Sequence, residues 1–200
     1  MFCGDETGAY IAQFGSSQSR FGWGGADSPI YCPPSYLSPA GKTGDLALHS
    51  PADKTGTTKV YSDASNGSTA TDLNVWESYV ASALATTACD IAQHPFLCTT
   101  TGFESTSQKA GMTEIAFEKL GAPSLFLGHE AALAAFSHGR TTALVVDGGA
   151  GGLKVTPVVD GITLQRASRR SLRGGDFIDG RLVDMIEEKG LCGAGKSVGT

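Results

Sequence analysis

Apolar and polar positions over the first 37 residues predict a β-hairpin. The apolar residues Tyr10, Ile11 and Phe14 are followed by a Gly-Ser-Ser turn, and a second apolar run extends from Ser19 to Trp23. Two such runs joined by a short Gly-containing turn favour paired antiparallel strands. Four prolines between residues 29 and 39 then interrupt regular structure.

Residues 38–71 contain few large apolar side chains and many Gly, Ser, Thr, Asp and Lys residues. A segment of this composition buries too little apolar surface to offset the entropy of ordering it. We therefore expect an exposed, flexible insertion without regular structure. A segment this long inside a domain is typically functional or disordered.

Helical periodicity returns after residue 71. Asp72 is a candidate N-cap for a helix that extends to about Ile91, and a second amphipathic helix is predicted from Ser105 to Leu120. The continuous apolar run at residues 143–146 is typical of a strand covered on both faces. Strands mixed with helices predict an α/β fold, with a mixed sheet and flanking helices. The other predicted elements are strands at residues 95–98, 124–127, 153–159 and 162–164 and helices at residues 130–137 and 175–189.

Composition and charge restrict the class of protein. The 200-residue chain is 40% hydrophobic, which supports a core and argues against global disorder. Its 27 glycines are neither periodic nor confined to one tract, so they indicate turns and close backbone contacts. The net charge of −5 disfavours nonspecific binding to nucleic acid or to an anionic membrane, and it is compatible with a basic, histone-like partner.

Five cysteines are scattered without a CxxC pair, as expected for free thiols in the reducing environment of the cytosol or nucleus. Their spacing argues against a zinc site. No apolar run approaches the roughly 20 residues needed to cross a bilayer, and the first six residues lack the basic region of a secretory or mitochondrial leader. We therefore expect no membrane association.

Two segments share a pattern that favours phosphate binding. Gln13 and Asp147 each end an apolar strand, a turn of small residues follows, and a cation, Arg20 or Lys154, lies seven positions after the polar residue. Small residues let backbone amides converge on a phosphate, and a carboxylate can hold a hydrated Mg²⁺. The repeat predicts two related half-sites. It is also compatible with an Asp147 that only caps a turn and an Arg20 that is a solvated surface cation.

The residues around both turns resemble the actin family. Residues 139–149 are similar to the family's second phosphate hairpin, and residues 14–17 are similar to the first. Residues 109–118 resemble the actin helix that carries the pattern KMTxxxFE. The likeness covers residues 4–37 and 74–189, which correspond to the first half of an actin-type chain. It implies the N-terminal half of the actin-like (ribonuclease H-like) ATPase fold.

The resemblance also implies a division of the chain. Residues 1–37 and 72–138 correspond to subdomain 1 of actin, and residues 38–71 stand in place of subdomain 2. Residues 139–189 correspond to the start of the second lobe. Residues 190–200 are expected to form a disordered tail.

A site for ATP or ADP with Mg²⁺ or Ca²⁺ follows from the same resemblance. The first turn would hold phosphate through amides and hydroxyls, the second turn would oppose it, and Asp147 would face the water shell of the metal. Arg20 stands where actin has a phosphate-binding Lys. The implied nucleotide-binding residues are Gly15, Ser16, Ser17, Arg20, Asp147, Gly149, Ala150 and Gly151.

Three departures from the actin pattern argue against rapid ATP hydrolysis. Gln13 replaces a metal-facing Asp, Glu130 replaces the Gln that positions the attacking water, and Lys154 replaces a His that helps to order that water. Because phosphoryl transfer depends mainly on positioning and electrostatics, we expect nucleotide binding with little or no turnover, and we assign no catalytic residue. A working ATPase and a cytoskeletal protein that polymerises are the alternative functions.

Three details resemble one nuclear branch of the family, the actin-related protein 4 subfamily. They are Gly4-Asp5-Glu6, Ala150 and the segment of residues 171–178. That branch supplies scaffold subunits of chromatin-remodelling and histone-acetyltransferase complexes. The resemblance implies nuclear actin, remodelling-motor or acetyltransferase subunits and histones as partners, without sequence-specific nucleic acid binding. It implies a location in the nucleus, with the cytoplasm left open as a second location.

Some other patterns are interpreted as structural. Residues 190–197 match the P-loop pattern G-x-x-x-x-G-K-[ST], but a helix rather than a buried strand is predicted before them, so we interpret the match as coincidence. His129 and His138 lie nine residues apart, which is not a ligand spacing, so both are interpreted as surface or hydrogen-bonded residues. Glu130 is also interpretable as an acid favoured at a helix N-terminus.

The extent of the likeness raises the alternative that the chain is a truncated product. Half of an actin fold would leave the sheet around residues 143–164 with an uncovered edge and an apolar face. Such a chain would bind nucleotide poorly or need a partner.

Overall fold

Two four-stranded sheets, two smaller sheets and four α-helices make up the described part of the chain. The computed structural model describes residues 8–40, 45–48, 58–60, 62–63, 69–70 and 72–190. The strands are β1 (Tyr10–Gln13), β2 (Arg20–Trp23), β3 (Tyr36–Ala40), β4 (Asp45–Leu48), β5 (Thr58–Lys59), β6 (Ser62–Asp63), β7 (Thr69–Ala70), β8 (Phe96–Thr100), β9 (Leu125–His129), β10 (Ala143–Gly148), β11 (Leu153–Val159), β12 (Ile162–Thr163) and β13 (Arg169–Ser171). The α-helices are α1 (Leu73–Thr86), α2 (Thr106–Glu114), α3 (Glu130–Ser137) and α4 (Gly175–Glu188), with a π-helix at Ile115–Lys119 and 3₁₀ turns at Ile91–Gln93 and Gln165–Ala167.

The first sheet has the strand order β2-β1-β8-β9. β1 and β2 form the predicted antiparallel hairpin, with Gln13 opposite Arg20. β8 runs parallel to β1, and β9 runs parallel to β8. Because the carboxyl ends of parallel strands lie at one edge of a sheet, the turn after β1 and the residues after β9 reach the same edge.

Aromatic side chains from α1 and the hairpin form the core against this sheet. Trp76 and Tyr79 of α1 are fully buried, and the Phe14 ring centroid lies 5.7 Å from that of Trp76 and 6.4 Å from that of Tyr79. The Tyr79 hydroxyl donates to the carbonyl of Pro34 at 3.0 Å, and burial raises the pKa of Tyr79 to about 12. Phe14 immediately precedes the first turn, so this packing fixes where the turn begins.

Side-chain caps define where the first two helices begin. The Asp72 carboxylate accepts a hydrogen bond from the Asn74 amide at 2.9 Å, which confirms the predicted N-cap. Ser105 and Gln108 form a capping box at the start of α2, where each side chain accepts from the backbone amide of the other residue.

The ends of these helices differ from the prediction. α1 ends at Thr86 rather than near Ile91, because the chain takes a left-handed conformation at Ala88 with φ of +50°. Asp90 then caps a separate 3₁₀ turn that begins at Ile91. The predicted second helix is α-helical only to Glu114 and continues as the π-helix.

The second sheet has the order β10-β11-β12, with β13 also paired to β11. The prediction that residues 143–146 are covered on both faces is wrong among the described residues, because α3 covers only one face. Ala143 and Val145 pack toward the buried alanines of α3, whereas Leu144 is 65% exposed and Val146 is 61% exposed. Among the described residues, the opposite face of β10 is apolar and exposed, in agreement with the apolar face expected for this sheet.

Helix α4 agrees with the predicted helix at residues 175–189 to within one residue. Its apolar stripe does not become part of a core in the described residues. Ile178, Leu182 and Met185 are 65%, 54% and 48% exposed. None of the helices that the structure describes is both long enough and apolar enough to span a lipid bilayer.

Short strands form in the described parts of the segment at residues 38–71. The expectation of no regular structure is wrong where this segment is described, because β4, β3 and β5 form a sheet and β6 pairs with β7. Backbone pairing stabilises these strands although the segment has few large apolar residues. Leu37 and Val60 are fully buried in the main core and attach the strands to it. Lys59 of β5 forms an ion pair with Asp176 of α4 at 3.1 Å. The predicted tail, from residue 191 onward, lies outside the described residues, as does the P-loop-like pattern.

The capping box of α2 predicts the effect of Ser105→Ala. This change removes the acceptor for the Gln108 amide, so we expect the free energy of unfolding to fall by about 1 kcal/mol. Chemical denaturation of the variant and the wild type measures the difference. Ser107→Ala, in the exposed first turn of the same helix, is the control and should change stability by less than about 0.5 kcal/mol. Equal losses in the two variants would contradict the cap.

Candidate functional site

The first turn connects β1 to β2 and requires a small residue at its start. A Cβ atom at Gly15 would lie 2.5 Å from the carbonyl oxygen of Gln18, so a larger residue would force the turn apart. Ser16 and Ser17 follow at the tip, where both are solvent accessible. The turn therefore presents backbone amides and two hydroxyls at the edge of the first sheet.

The second turn connects β10 to β11 and is closed by a hydrogen bond from the Gly149 amide to the Gly152 carbonyl at 2.9 Å. It packs against the start of α4. The Gly175 amide donates to the Gly149 carbonyl at 3.0 Å, and the Asp176 amide donates to the Ala150 carbonyl at 2.9 Å. The carbonyls of the turn thus satisfy the free amides of the helix terminus.

Glycine is required at this contact between turn and helix. A Cβ atom at Gly174 would lie 2.5 Å from the Gly149 carbonyl oxygen and 2.6 Å from that of Ala150. A Cβ atom at Gly152 would overlap the carbonyl oxygen of Ser171. The second turn is held between β13 and α4 by backbone approaches that no side chain could accommodate.

Both turns line one cavity of about 390 Å³. The structure brings together every residue that the sequence predicts for the nucleotide site. The predicted residues along its wall are Gly15, Ser16, Ser17, Arg20, Asp147, Gly149, Ala150 and Gly151. The opposed arrangement of the two turns thus agrees with the expected geometry, and ligand binding by these residues stays a prediction.

Several amides of the two turns are available to an anion. Within the described ranges, no backbone carbonyl accepts from the amides of Ser16, Ser17, Ala150 or Gly151. Adjacent amides of this kind, in a turn without bulky side chains, form the concave donor groups that bind phosphate. The Gly149 amide differs, because it closes its own turn. We therefore expect Ala150 and Gly151 to supply the donors on the second side.

Arg20 lies at the rim of the cavity. Its Nη1 donates to Oε1 of Gln13 at 2.8 Å, across the register of the hairpin, and its side chain is exposed. Arg20 is therefore not only a solvated surface cation, because its hydrogen bond to Gln13 positions the guanidinium. The remaining guanidinium donors can reach an anion at the mouth of the cavity.

A partly buried ion pair also lines the cavity. Nζ of Lys154 is 3.1 Å from Oε2 of Glu130 and 3.8 Å from Oδ2 of Asp147. The Lys154 and Glu130 side chains are 17% and 19% exposed, whereas Asp147 is 53% exposed. Burial raises the pKa of Glu130, and the neighbouring Lys154 ammonium opposes this shift. The sequence singles out Glu130 and Lys154 as departures from the actin pattern but does not predict that they contact each other. Their opposite charges within one candidate site could have indicated this contact.

The ion pair separates this cavity from a second one. The second cavity has a volume of about 320 Å³ and a more apolar lining that includes Leu133 and Val145. Glu130, Asp147 and Lys154 line both cavities. A ligand in the first cavity would therefore meet the Lys154 ammonium at its inner end.

His129, which precedes Glu130, has a structural role. Its Nδ1 accepts a hydrogen bond from the Ala131 amide at 3.2 Å and caps α3, in agreement with its interpretation as a hydrogen-bonded residue. Burial lowers the pKa of His129 from its ordinary value, and the nearby carboxylate of Glu104 opposes this shift. Because a protonated Nδ1 cannot accept, the cap requires the neutral ring.

Comparisons with known proteins agree with this architecture. The family described as Actin matches residues 4–195, so the chain belongs to the actin family, and its fold is the N-terminal half of the actin fold. Over 118 residues, the chain is 36% identical to Actin-related protein 4 of Arabidopsis thaliana. This alignment covers 59% of the chain and 26% of the relative.

Two longer alignments extend over almost the whole chain. It is 29% identical to Actin-related protein 4 of Oryza sativa subsp. indica, with 96% of this chain and 51% of the relative covered. It is also 29% identical to the SWI/SNF and RSC complexes subunit arp42 of Schizosaccharomyces pombe, with 91% and 44% covered. The chain thus spans about half the length of the curated relatives that it matches.

The cap on α3 predicts a pH dependence. The folded state holds His129 with a pKa below the value of 6.5 expected for the unfolded chain, so the unfolded state binds more protons as the pH falls. This contribution to stability is present above pH 6.5 and is lost as the pH falls below it. Thermal unfolding at pH 7.5 and 5.5 measures the loss.

His129→Asn is the matched variant, because Asn caps a helix without titrating in this range. We expect its melting temperature to fall less between the two pH values than that of the wild type. An identical fall in both proteins would contradict the assignment to His129.

Proposed function

We propose that this chain acts as a nuclear actin-related scaffold in chromatin-remodelling or histone-acetyltransferase complexes. The names of its relatives support this proposal, since several are Actin-related protein 4 and one is a subunit of the SWI/SNF and RSC complexes. The observation that carries the nucleotide-binding part is the opposition of two amide-presenting turns across one cavity. Nucleotide in this proposal is a structural ligand that joins the two parts of the fold.

The phosphates of ATP or ADP are the ligand that suits the cavity. Turns of small residues with unpaired amides bind the oxygens of a polyphosphate, and Arg20 and Lys154 supply positive charge at its two ends. Ser16 and Ser17 add hydroxyl donors to the first side. The phosphate group, rather than the base, is therefore what these residues recognise.

Hydrolysis in this proposal is slow or absent. Rapid phosphoryl transfer needs a positioned water and a group that orients it. Glu130 lies close to the phosphate cavity, where its Oε2 accepts a hydrogen bond from Lys154, and the Lys154 ammonium has no acceptor atom with which to orient an attacking water. Gln13 is neutral and is occupied by Arg20.

Protein contacts, rather than turnover, are the main activity in this proposal. Leu144 and Val146 of β10 and Ile178, Leu182 and Met185 of α4 are exposed among the described residues and offer apolar surface for protein contacts. Nuclear actin and subunits of a remodelling motor or an acetyltransferase complex are the proposed partners. Histones are a further proposed partner, because the net charge of −5 favours basic proteins.

Arg20 gives the first test of nucleotide binding. In Arg20→Gln the charge at the rim is lost, so we expect the affinity for ATP, measured by isothermal titration calorimetry, to fall about tenfold. Arg140→Gln is the matched control, because Arg140 is exposed and does not line the cavity. Equal affinities in wild type and Arg20→Gln would contradict the placement of phosphate between the turns.

Affinity purification of the tagged chain from nuclear extract tests the scaffold role. We expect an ATP-dependent remodelling motor or an acetyltransferase to be recovered with the chain and to be absent from a purification with the tag alone. Recovery of cytoplasmic actin filaments without either enzyme would contradict the proposal and favour the cytoskeletal alternative.

A further inference from the structure

The charges at the inner end of the phosphate cavity are arranged around a lysine. The Lys154 ammonium lies 3.1 Å from the Glu130 carboxylate and 3.8 Å from the Asp147 carboxylate, at the wall shared by the two cavities. A cation that belongs to the chain thus occupies the space between the two carboxylates that approach the site.

The residues present do not suit a divalent metal at this position. In a nucleotide site Mg²⁺ is held by one or two carboxylates together with phosphate oxygens and waters, so it needs at least one carboxylate that no other cation occupies. Asp147 is the only carboxylate of the two turns, and a dication beside it would be repelled by the ammonium 3.8 Å away. The oxygen of the Gln13 amide already accepts from Arg20, the Ala150 side chain offers no ligand atom, and the Ala150 carbonyl accepts from the Asp176 amide. Within the described ranges, no cluster of three His, Cys, Asp or Glu residues could hold a metal ion.

The same residues do suit the phosphates themselves. The two turns line the cavity, four of their amides donate to no backbone carbonyl among the described residues, and Arg20 lines the same cavity as a second cation. An ammonium has three donors. Among the described residues only Glu130 accepts a hydrogen bond from Lys154, so further donors are free to bind phosphate oxygens.

We infer that this site binds a polyphosphate without a divalent metal, and that the Lys154 ammonium supplies the positive charge that a metal ion would otherwise supply. The inference rests on the proposed nucleotide binding and specifies its chemistry. Lys154 is a binding residue in this scheme, and Glu130 is a positioning residue that holds the ammonium at the end of the cavity.

A metal-independent site of this kind has one distinctive property. Removal of the lysine would not only weaken binding but would free Asp147 and Glu130, which are the carboxylates that a metal needs. Mg²⁺ could then enter beside them. The substituted protein should therefore require metal, whereas the wild type should not.

Calorimetric titration of the full 200-residue chain with ATP tests the inference. One series contains EDTA and the other contains excess Mg²⁺. For the wild type, we expect dissociation constants within about twofold of each other in the two buffers. For Lys154→Ala, we expect about tenfold weaker binding in EDTA and recovery of most of this loss in Mg²⁺. Lys119→Ala, an exposed lysine outside both cavities, is the control and should behave as the wild type.

A second variant distinguishes a loss of ATP binding from a loss of folding. Lys154→Ala alone leaves the partly buried Glu130 carboxylate without its cationic partner, which can destabilise the fold. Lys154→Ala combined with Glu130→Gln removes both charges, and thermal unfolding without ligand verifies that the protein is folded. This double variant should keep the loss of affinity in EDTA, and Lys154→Arg, which retains the charge, should restore metal-independent binding.

The outcomes separate this inference from the proposed function. If chelation weakens ATP binding to the wild type more than about tenfold, the inference is overturned while nucleotide binding stands. If Lys154→Ala binds ATP in EDTA as well as the wild type does, the role of Lys154 is overturned. If the wild type binds no ATP in either buffer, both the nucleotide ligand and the inference fail.

Discussion

The close packing of α3 against both large sheets sets the separation of the two turns, and the cavity depends on it. α3 follows β9 of the first sheet directly and contacts β10 and β11 of the second. Its buried face consists of alanines, Ala131, Ala132 and Ala135. Such short side chains allow the helix axis to approach the second sheet closely. The same helix begins at Glu130, so its N-terminus brings a carboxylate to the Lys154 side chain of β11.

Local patterns in the sequence predict most elements but not the contacts between them. Asp72 and the capping box at Ser105 mark helix starts because a cap is a short-range interaction. The sequence does not predict the end of α1 at Thr86. The apolar spacing continues past Ala88, where the backbone takes a left-handed conformation. The strands within residues 38–71 were missed, because their pairing comes from neighbouring backbone rather than from apolar periodicity.

The candidate site divides in the same way. Small side chains at two strand ends indicate phosphate-binding turns, and the resemblance to the actin family assigns the individual residues of these turns to a nucleotide site. The pairing of Lys154 with Glu130 joins residues on different elements, and it follows only from the packing of α3 on the second sheet. Likewise, the run at residues 143–146 is apolar throughout, but whether one or both faces are covered depends on what packs there. Leu144 and Val146 are exposed in a chain that spans about half the length of its relatives.

The contact between the second turn and α4 has a consequence for how this sequence can vary. Gly174 meets the turn at Gly149, Ala150 and Gly152, and Gly152 meets β13, so a side chain at either glycine would occupy the backbone of the other segment. Neither position can accept a methyl group unless the helix and the hairpin move apart together. Substitution is therefore excluded at Gly152 and Gly174, whereas the neighbouring cavity-lining positions Ala150 and Lys154 already carry side chains. The ligand chemistry of the protein can thus diverge while its backbone frame stays fixed.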